Sequence, residues 1–182
     1  MGEELKNIMQ EIYNHQMDGV IFHSSLVYMY DFLRLRGMKK WQKRQLEEET
    51  KCFHKVQHHF IKHYHMLLKP DAPEKLNSAI PDAWYSVDSM DLSADDIRKE
   101  LKKSLDIILD WEEKTCKFLR EKSKSLIELD AFDEYMLVKE MMSHVAAEIN
   151  YVQNLVMELE SVNYDAVYIR RLQERFCTEF DD

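Results

Sequence analysis

Residues 46–60 read LEEETKCFHKVQHHF, and the spacing of their apolar side chains predicts a helix with one buried face. The stripe along that face is formed by Leu46, Phe53, Val56 and Phe60. Glu49 falls inside the stripe, between Leu46 and Phe53. A carboxylate on a core face is costly unless it is neutralised, paired or bound to a cation. This segment therefore predicts a helical core with a polar site inside it.

The composition favours one domain, 1–182, made of long helices, because the chain has only three glycines and three prolines. Its net charge of −9 disfavours binding to nucleic acid or to an anionic membrane surface. No apolar run reaches the roughly 18 residues that a membrane span requires. The acidic N-terminus lacks an apolar signal segment, which predicts a cytoplasmic protein.

Apolar periodicity and turn residues predict five helices, at about 3–35, 39–68, 94–125, 132–160 and 165–178. Gly37 is expected to make the tight turn between the first two, and Ser93 to cap the third. The long connection 69–92 can run the length of a bundle. We therefore predict an all-α four-helix bundle over about 3–160, with one long crossover and a short C-terminal fifth helix.

Two more predicted helices carry a glutamate on their apolar stripe. Glu112 follows Ile108 one turn later, and Glu148 precedes Val152 by one turn, with His144 on the same side of that helix. Three carboxylates and an imidazole aimed into a bundle are suited to a di-metal site. A hydrogen-bonded polar layer without metal accounts for the same pattern, and periodicity does not decide between the two.

Four segments of the chain resemble the helices of bacterial non-haem ferritins. They are HSSLVYMYDF (23–32), WQKRQLEEE (41–49), SLDIILDWEEKT (104–115) and DAVYIRRLQERF (165–176). Their order and spacing fit across nearly the whole chain, including the short fifth helix. The resemblance implies the ferritin-like fold, homo-oligomers, and the binding and storage of iron.

The resemblance also implies specific metal ligands. In that family a paired-iron centre takes side chains from all four helices, and Glu49 and Glu112 match two of its glutamates. Glu48 and Glu148 match acidic residues of an additional iron site. Tyr28 matches a tyrosine that contacts the centre from the first helix.

Other ligand positions of the family are changed in this chain. The first-helix glutamate falls on Ile21, or on Val20 if the alignment slips by one residue. The second-helix histidine falls on Cys52, and the fourth-helix positions fall on Val145 and His144. Two irons held by so few ligands would be under-coordinated, so the sequence does not predict rapid Fe(II) oxidation. A mixed carboxylate, imidazole and thiol set suits zinc or another divalent metal as well as iron.

The sequence thus leads to two hypotheses. In the first, a cytoplasmic homo-oligomer binds iron or another divalent metal through Glu48, Glu49, Glu112, His144 and Glu148. In the second, the bundle is a non-catalytic structural or interaction subunit, and its inner glutamates are hydrogen-bonded and free of metal. Neither hypothesis involves nucleic acid or a membrane.

Overall fold

A computed structural model of the chain describes residues 2–71, 80 and 87–180. The described residues form five α-helices and no strand: α1 (Glu3–Phe32), α2 (Arg36–Tyr64), α3 (Ala94–Glu128), α4 (Phe132–Ser161) and α5 (Ala166–Glu179). The predicted all-α class and all five helices are confirmed, with boundaries that differ by a few residues. None of the described helices is both long and apolar enough to cross a membrane.

The helices form two antiparallel hairpins, α1–α2 and α3–α4, joined by the predicted crossover. The crossover begins beside the first half of α1, where the Gln10 side chain donates to the Lys69 carbonyl at 2.6 Å. It ends near the other end of α1, where Arg34 contacts Met90. Its two described ends therefore lie beside opposite halves of α1; within the predicted connection, residues 72–79 and 81–86 lie outside the described residues.

Helix α3 begins with the predicted cap. The Asp96 backbone N–H donates to Ser93 Oγ at 3.2 Å, and the Ser93 N–H donates to Asp96 Oδ2 at 3.1 Å. This capping box satisfies two backbone donors that a helix start leaves without partners. Crossover and cap together fix where α3 enters the bundle.

The prediction that Gly37 makes the turn after α1 is wrong. The turn uses Arg34, whose φ is 59°, and Gly37 lies in the first turn of α2. A Cβ at position 37 would lie 2.5 Å from the carbonyl oxygen of Gln173 in α5. Glycine is needed there because the backbone of α5 passes directly over it.

Two hydrophobic clusters fill the bundle, one towards each end. The first contains Tyr30, Trp41, Leu172 and Phe176, so α5 packs on its own bundle. The second surrounds Met9, Ile12 and Phe60 and lies at the opposite end. Between the clusters the buried side chains are polar: Gln16, His23, Gln42, Glu112 and Thr115. The candidate site lies in this polar layer.

Candidate metal centre

Each of the four long helices contributes one ionisable side chain to the polar layer. His23 comes from α1, Glu49 from α2, Glu112 from α3 and Glu148 from α4. His23 and Glu112 are the most buried, each with 1 % of its surface exposed. The other two glutamates are partly buried. Four helices thus bring three carboxyl groups and one imidazole towards the same region.

Gly19 allows Glu49 to approach α1. A Cβ at position 19 would lie 2.8 Å from Glu49 Oε2. An alanine there would collide with the carboxylate, because real Cβ contacts are almost never shorter than 3.0 Å. Glycine is costly in the middle of a helix, by about 1 kcal/mol relative to alanine, so its presence at this point is consistent with a need for that space.

Gln42 orients the His23 ring. Its Oε1 lies 2.9 Å from His23 Nδ1, and since an amide oxygen can only accept, Nδ1 carries the proton in this arrangement. Nε2 faces Glu112 Oε1 at 3.4 Å, a contact that is an ion pair when the ring carries a second proton. Two electron-rich atoms that face each other in a dry interior require a proton or a cation between them.

Glu112 has no donor other than ionisable groups. It shares a hydrogen bond with the carboxyl group of Glu148, which lowers the pKa of Glu112, and among the described residues neither its oxygens nor His23 Nε2 has a further hydrogen-bond partner. Burial raises the pKa of Glu112 to about 7, because the charged form loses its hydration. Near neutral pH this carboxyl group is therefore poised between its two protonation states.

The other two carboxyl groups are perturbed in the same direction. Burial, followed by the nearby charge of Glu112, raises the pKa of Glu148 to about 9. Burial also raises the pKa of Glu49 to about 7, although His23 opposes this shift. Three clustered acids that resist ionisation would ionise readily if a divalent cation bound among them.

Gln45 supplies a hydrogen-bonding partner to one of these acids. In the amide orientation that satisfies both of its neighbours, Gln45 donates to Glu148 Oε1 and accepts from Trp41 Nε1 at 3.1 Å. Glu148 is therefore partly satisfied by protein groups alone. The four side chains consequently differ, since Glu112 and His23 retain buried atoms without further partners.

No family model and no curated protein matches the chain. Its fold is nevertheless similar to that of an open-pore ferritin from the hyperthermophilic archaeon Archaeoglobus fulgidus, with a TM-score of 0.77 at 16% identity, over 97% of this chain and 96% of that chain. An engineered closed form of the Archaeoglobus fulgidus ferritin gives the same values. A humanized archaeal ferritin gives a TM-score of 0.76 at 15% identity, with the same coverage.

The chain has the ferritin fold.

Within this ferritin fold, the five predicted ligands divide into two groups. Glu49, Glu112 and Glu148 reach the polar layer, whereas Glu48 pairs with Arg44 at 3.2 Å and His144 is exposed. Over residues 2–71, 80 and 87–180, no group of three or more His, Cys, Asp or Glu side chains is arranged to hold one metal ion. Three of the predicted residues approach one another, but their side chains are not arranged to coordinate one ion.

The expectation that Tyr28 contacts the centre is wrong. Tyr28, expected at the centre, has 66% of its surface exposed. Tyr30 is fully buried instead, with its hydroxyl 2.8 Å from Ser104 Oγ.

His23, two residues after Ile21, is the α1 side chain that reaches the polar layer. The sequence offers His23 and Asp18 only as the nearest substitutes for an α1 ligand, because α1 is apolar on most of its circumference and periodicity does not identify its inner face.

Cys52 does not act as a thiolate in this arrangement. Burial and the nearby Glu49 raise the pKa of its thiol to about 11, and a metal-binding cysteine must be deprotonated. This holds for the metal-free protein, and a bound cation would deprotonate the thiol as it would the carboxyl groups, so Cys52 stays in the candidate donor set.

The histidines of α2 lie outside the polar layer. His54, His58 and His65 are exposed, and His54 and His58 line the outer part of a cavity that also reaches Glu49. His59 Nε2 lies 2.8 Å from Glu134 Oε1, and His59 stacks on His63 with ring centroids 4.2 Å apart. These contacts join the end of α2 to the start of α4 and lie apart from the candidate centre.

Proposed function

We propose that this protein binds a divalent metal ion at an altered centre and stores iron as its cargo. The observation that carries the proposal is the convergence of His23, Glu49, Glu112 and Glu148 from four helices, with the buried atoms of His23 and Glu112 left without further partners. Buried polar groups without partners are rare in folded proteins and call for a ligand. Three carboxyl groups and an imidazole are donors that fit Fe(II).

The donor set favours iron over zinc. Structural zinc sites rely on thiolate or several imidazoles, whereas three of the four converging side chains are carboxyl groups. Four side chains fill the coordination of one ion better than that of two. We therefore expect one tight ion per chain and slow oxidation of Fe(II) by oxygen. Glu48 and His144 would serve as auxiliary ligands nearer the surface.

Storage of iron requires an assembly of several subunits, and the ferritin fold is a reason to test for one. The structural neighbours include ferritins described in open-pore and closed forms. We propose a homo-oligomer in the cytoplasm, without nucleic-acid or membrane partners. Native mass spectrometry would distinguish a shell of many subunits from a dimer, and a mass no larger than a dimer would contradict storage.

Metal analysis of matched variants tests the centre. Metal-free protein is loaded anaerobically with Fe(II), or separately with Zn(II), and bound metal is counted after dialysis. Glu49→Gln and Glu112→Gln should lose the tight ion, because each removes a charged donor. Glu113→Gln changes the exposed neighbour of Glu112 on the same helix and should bind like the unmodified protein. If the unmodified protein retains no metal, the proposal fails.

A second function is favoured by one specific feature of the site. Gln45, held by Trp41 Nε1, donates to Glu148, and Gln42 accepts from His23 Nδ1, without any metal. Such a layer fits a non-catalytic ferritin-like subunit that serves structure or interaction. In that case no metal binds. Added Fe(II) or Zn(II) then changes the melting temperature of neither the unmodified protein nor the Glu112→Gln variant.

A further inference from the structure

A cavity of about 410 Å³ opens between α2 and α4 beside the candidate centre. Its inner wall is acidic and apolar, formed by Gln16, Glu49, Cys52, Met141, Val145 and Glu148. Its outer part carries positively charged and imidazole side chains: Lys51, His54, Lys55, His58 and His144. The cavity therefore changes chemical character with depth.

Gln16 leaves a buried acceptor without a partner on the inner wall. Only 3% of its surface is exposed, and among the described residues its Oε1 has no partner. A buried acceptor left without a donor costs about 1–3 kcal/mol. Together with the carboxyl groups of Glu49 and Glu148, this oxygen favours a ligand whose inner end is positive and carries donors.

The outer part of the cavity favours the opposite charge. Glu48 is paired with Arg44 at 3.2 Å, and Lys55 is paired with Glu140 at 2.5 Å. Lys51 makes no ion pair with any residue that the structure describes. One free ammonium group and three imidazoles are therefore available to an anionic outer end.

The size of the cavity argues against a bare hydrated ion. A divalent ion with six waters needs roughly 200 Å³, since each water occupies about 30 Å³. About half of the cavity would then remain unused. At about 410 Å³ it instead lies within the range of small-molecule sites, which is roughly 300–1,000 Å³.

We infer that the cavity receives the metal as a complex with a small hydroxycarboxylate. The metal end faces Glu49 and Glu148, where its waters or a hydroxyl group donate to Gln16 Oε1, and the carboxylates face Lys51. This inference rests on the proposed metal-binding function and adds the chemical form in which the ion arrives.

Calorimetry under argon tests the inference with three probes: Fe(II) alone, citrate alone, and an equimolar Fe(II)–citrate mixture. The mixture should bind about tenfold more tightly than Fe(II) alone, a factor equivalent to one charge-assisted hydrogen bond. Citrate alone should bind weakly, because the acidic inner wall repels it. If citrate instead competes with the protein and weakens Fe(II) binding, the inference is overturned.

Two variants localise the effect. Lys51→Gln should abolish the preference for the mixture and leave the affinity for Fe(II) alone unchanged. Lys43→Gln, an exposed lysine of α2 that does not line the cavity, is the matched control and should retain the preference. Gln16→Leu should also weaken binding of the mixture.

The outcomes separate this inference from the proposed function. Binding of Fe(II) with no gain from citrate overturns the inference alone. Equal preference in the Lys51→Gln and unmodified proteins also overturns it, because the outer part of the cavity is then not involved. If neither Fe(II) nor the mixture binds, both the inference and the proposed function are overturned.

Discussion

Burial of carboxyl groups makes the stability of the metal-free protein depend on single residues. Glu112 has a folded-state pKa of about 7, above its ordinary 4.5. The folded protein therefore binds more protons than the unfolded chain between these values, and the free energy of unfolding falls as pH rises through that window. Above pH 7 the full cost of the buried charge is present.

Glu112→Gln should therefore stabilise the metal-free protein at pH 8, by about 1–3 kcal/mol, because the buried charge disappears. The new amide can also donate to His23 Nε2, which has no partner among the described residues. At pH 4 the two proteins should unfold at nearly the same denaturant concentration. Urea titrations at both pH values measure the difference, with Glu113→Gln as control; a destabilised variant at pH 8 would contradict this account.

Gly19→Ala tests the close approach of Glu49 to α1. The new Cβ would meet only the end of the Glu49 side chain, which can swing away. Stability should change little or rise by up to about 1 kcal/mol, because alanine favours the helix. Affinity for Fe(II) should fall, since Glu49 leaves its position. Thermal unfolding and metal analysis on the same sample separate the two effects, and unchanged metal affinity would argue against a role for this spacing.

At the scale of elements, glycine has a different purpose in α2. A Cβ at Gly37 would meet the backbone of Gln173 in α5, at 2.5 Å from its carbonyl oxygen. A backbone atom cannot move aside as a side chain can. Gly37→Ala should therefore displace α5 and destabilise the protein by about 1–3 kcal/mol, the usual cost of overpacking.

The Gly19 and Gly37 variants form a matched pair, since both place one methyl group on a helical glycine. Chemical denaturation should show a loss for Gly37→Ala and none for Gly19→Ala. Deleting residues 166–182 should reproduce part of the loss, because Leu172 and Phe176 belong to the cluster around Trp41. Equal stability of both glycine variants would contradict the close packing of α5.

At the scale of the whole molecule, much of the fold could be predicted because apolar periodicity runs through each long helix and all three prolines fall in the connection 69–92. Glycine is a poor guide, since Gly19 and Gly37 both lie inside helices.

The inward glutamates of α2 and α3 could also be predicted, since each interrupts a sharp apolar stripe. The inner face of α1 could not be predicted. From the sequence alone, Tyr28 is therefore expected at the centre instead of Tyr30, and His23 is not counted among the ligands. Gln42 and Gln45 gave no signal either, because an uncharged amide on a helix is common on any face.

Metal binding should abolish the pH dependence of the melting temperature. Without metal, the melting temperature should fall from pH 5 to pH 9, as Glu49, Glu112 and then Glu148 ionise in a dry environment. A bound divalent ion stabilises the ionised forms, so the decline should disappear with saturating Fe(II) under argon. Differential scanning calorimetry across this range measures both curves, and parallel curves would show that the ion binds elsewhere.

The polar layer between the two hydrophobic clusters has a consequence for cooperativity. Each apolar half of the bundle is anchored by its own set of large side chains, one including α5 and the other the beginning of α1. When the intervening carboxyl groups carry charge, the halves are coupled mainly through continuous helices, so alkaline conditions should let one half open before the other. Hydrogen exchange at pH 9 would reveal this as two groups of amides with different opening free energies. The two groups should become one when an ion binds between the helices.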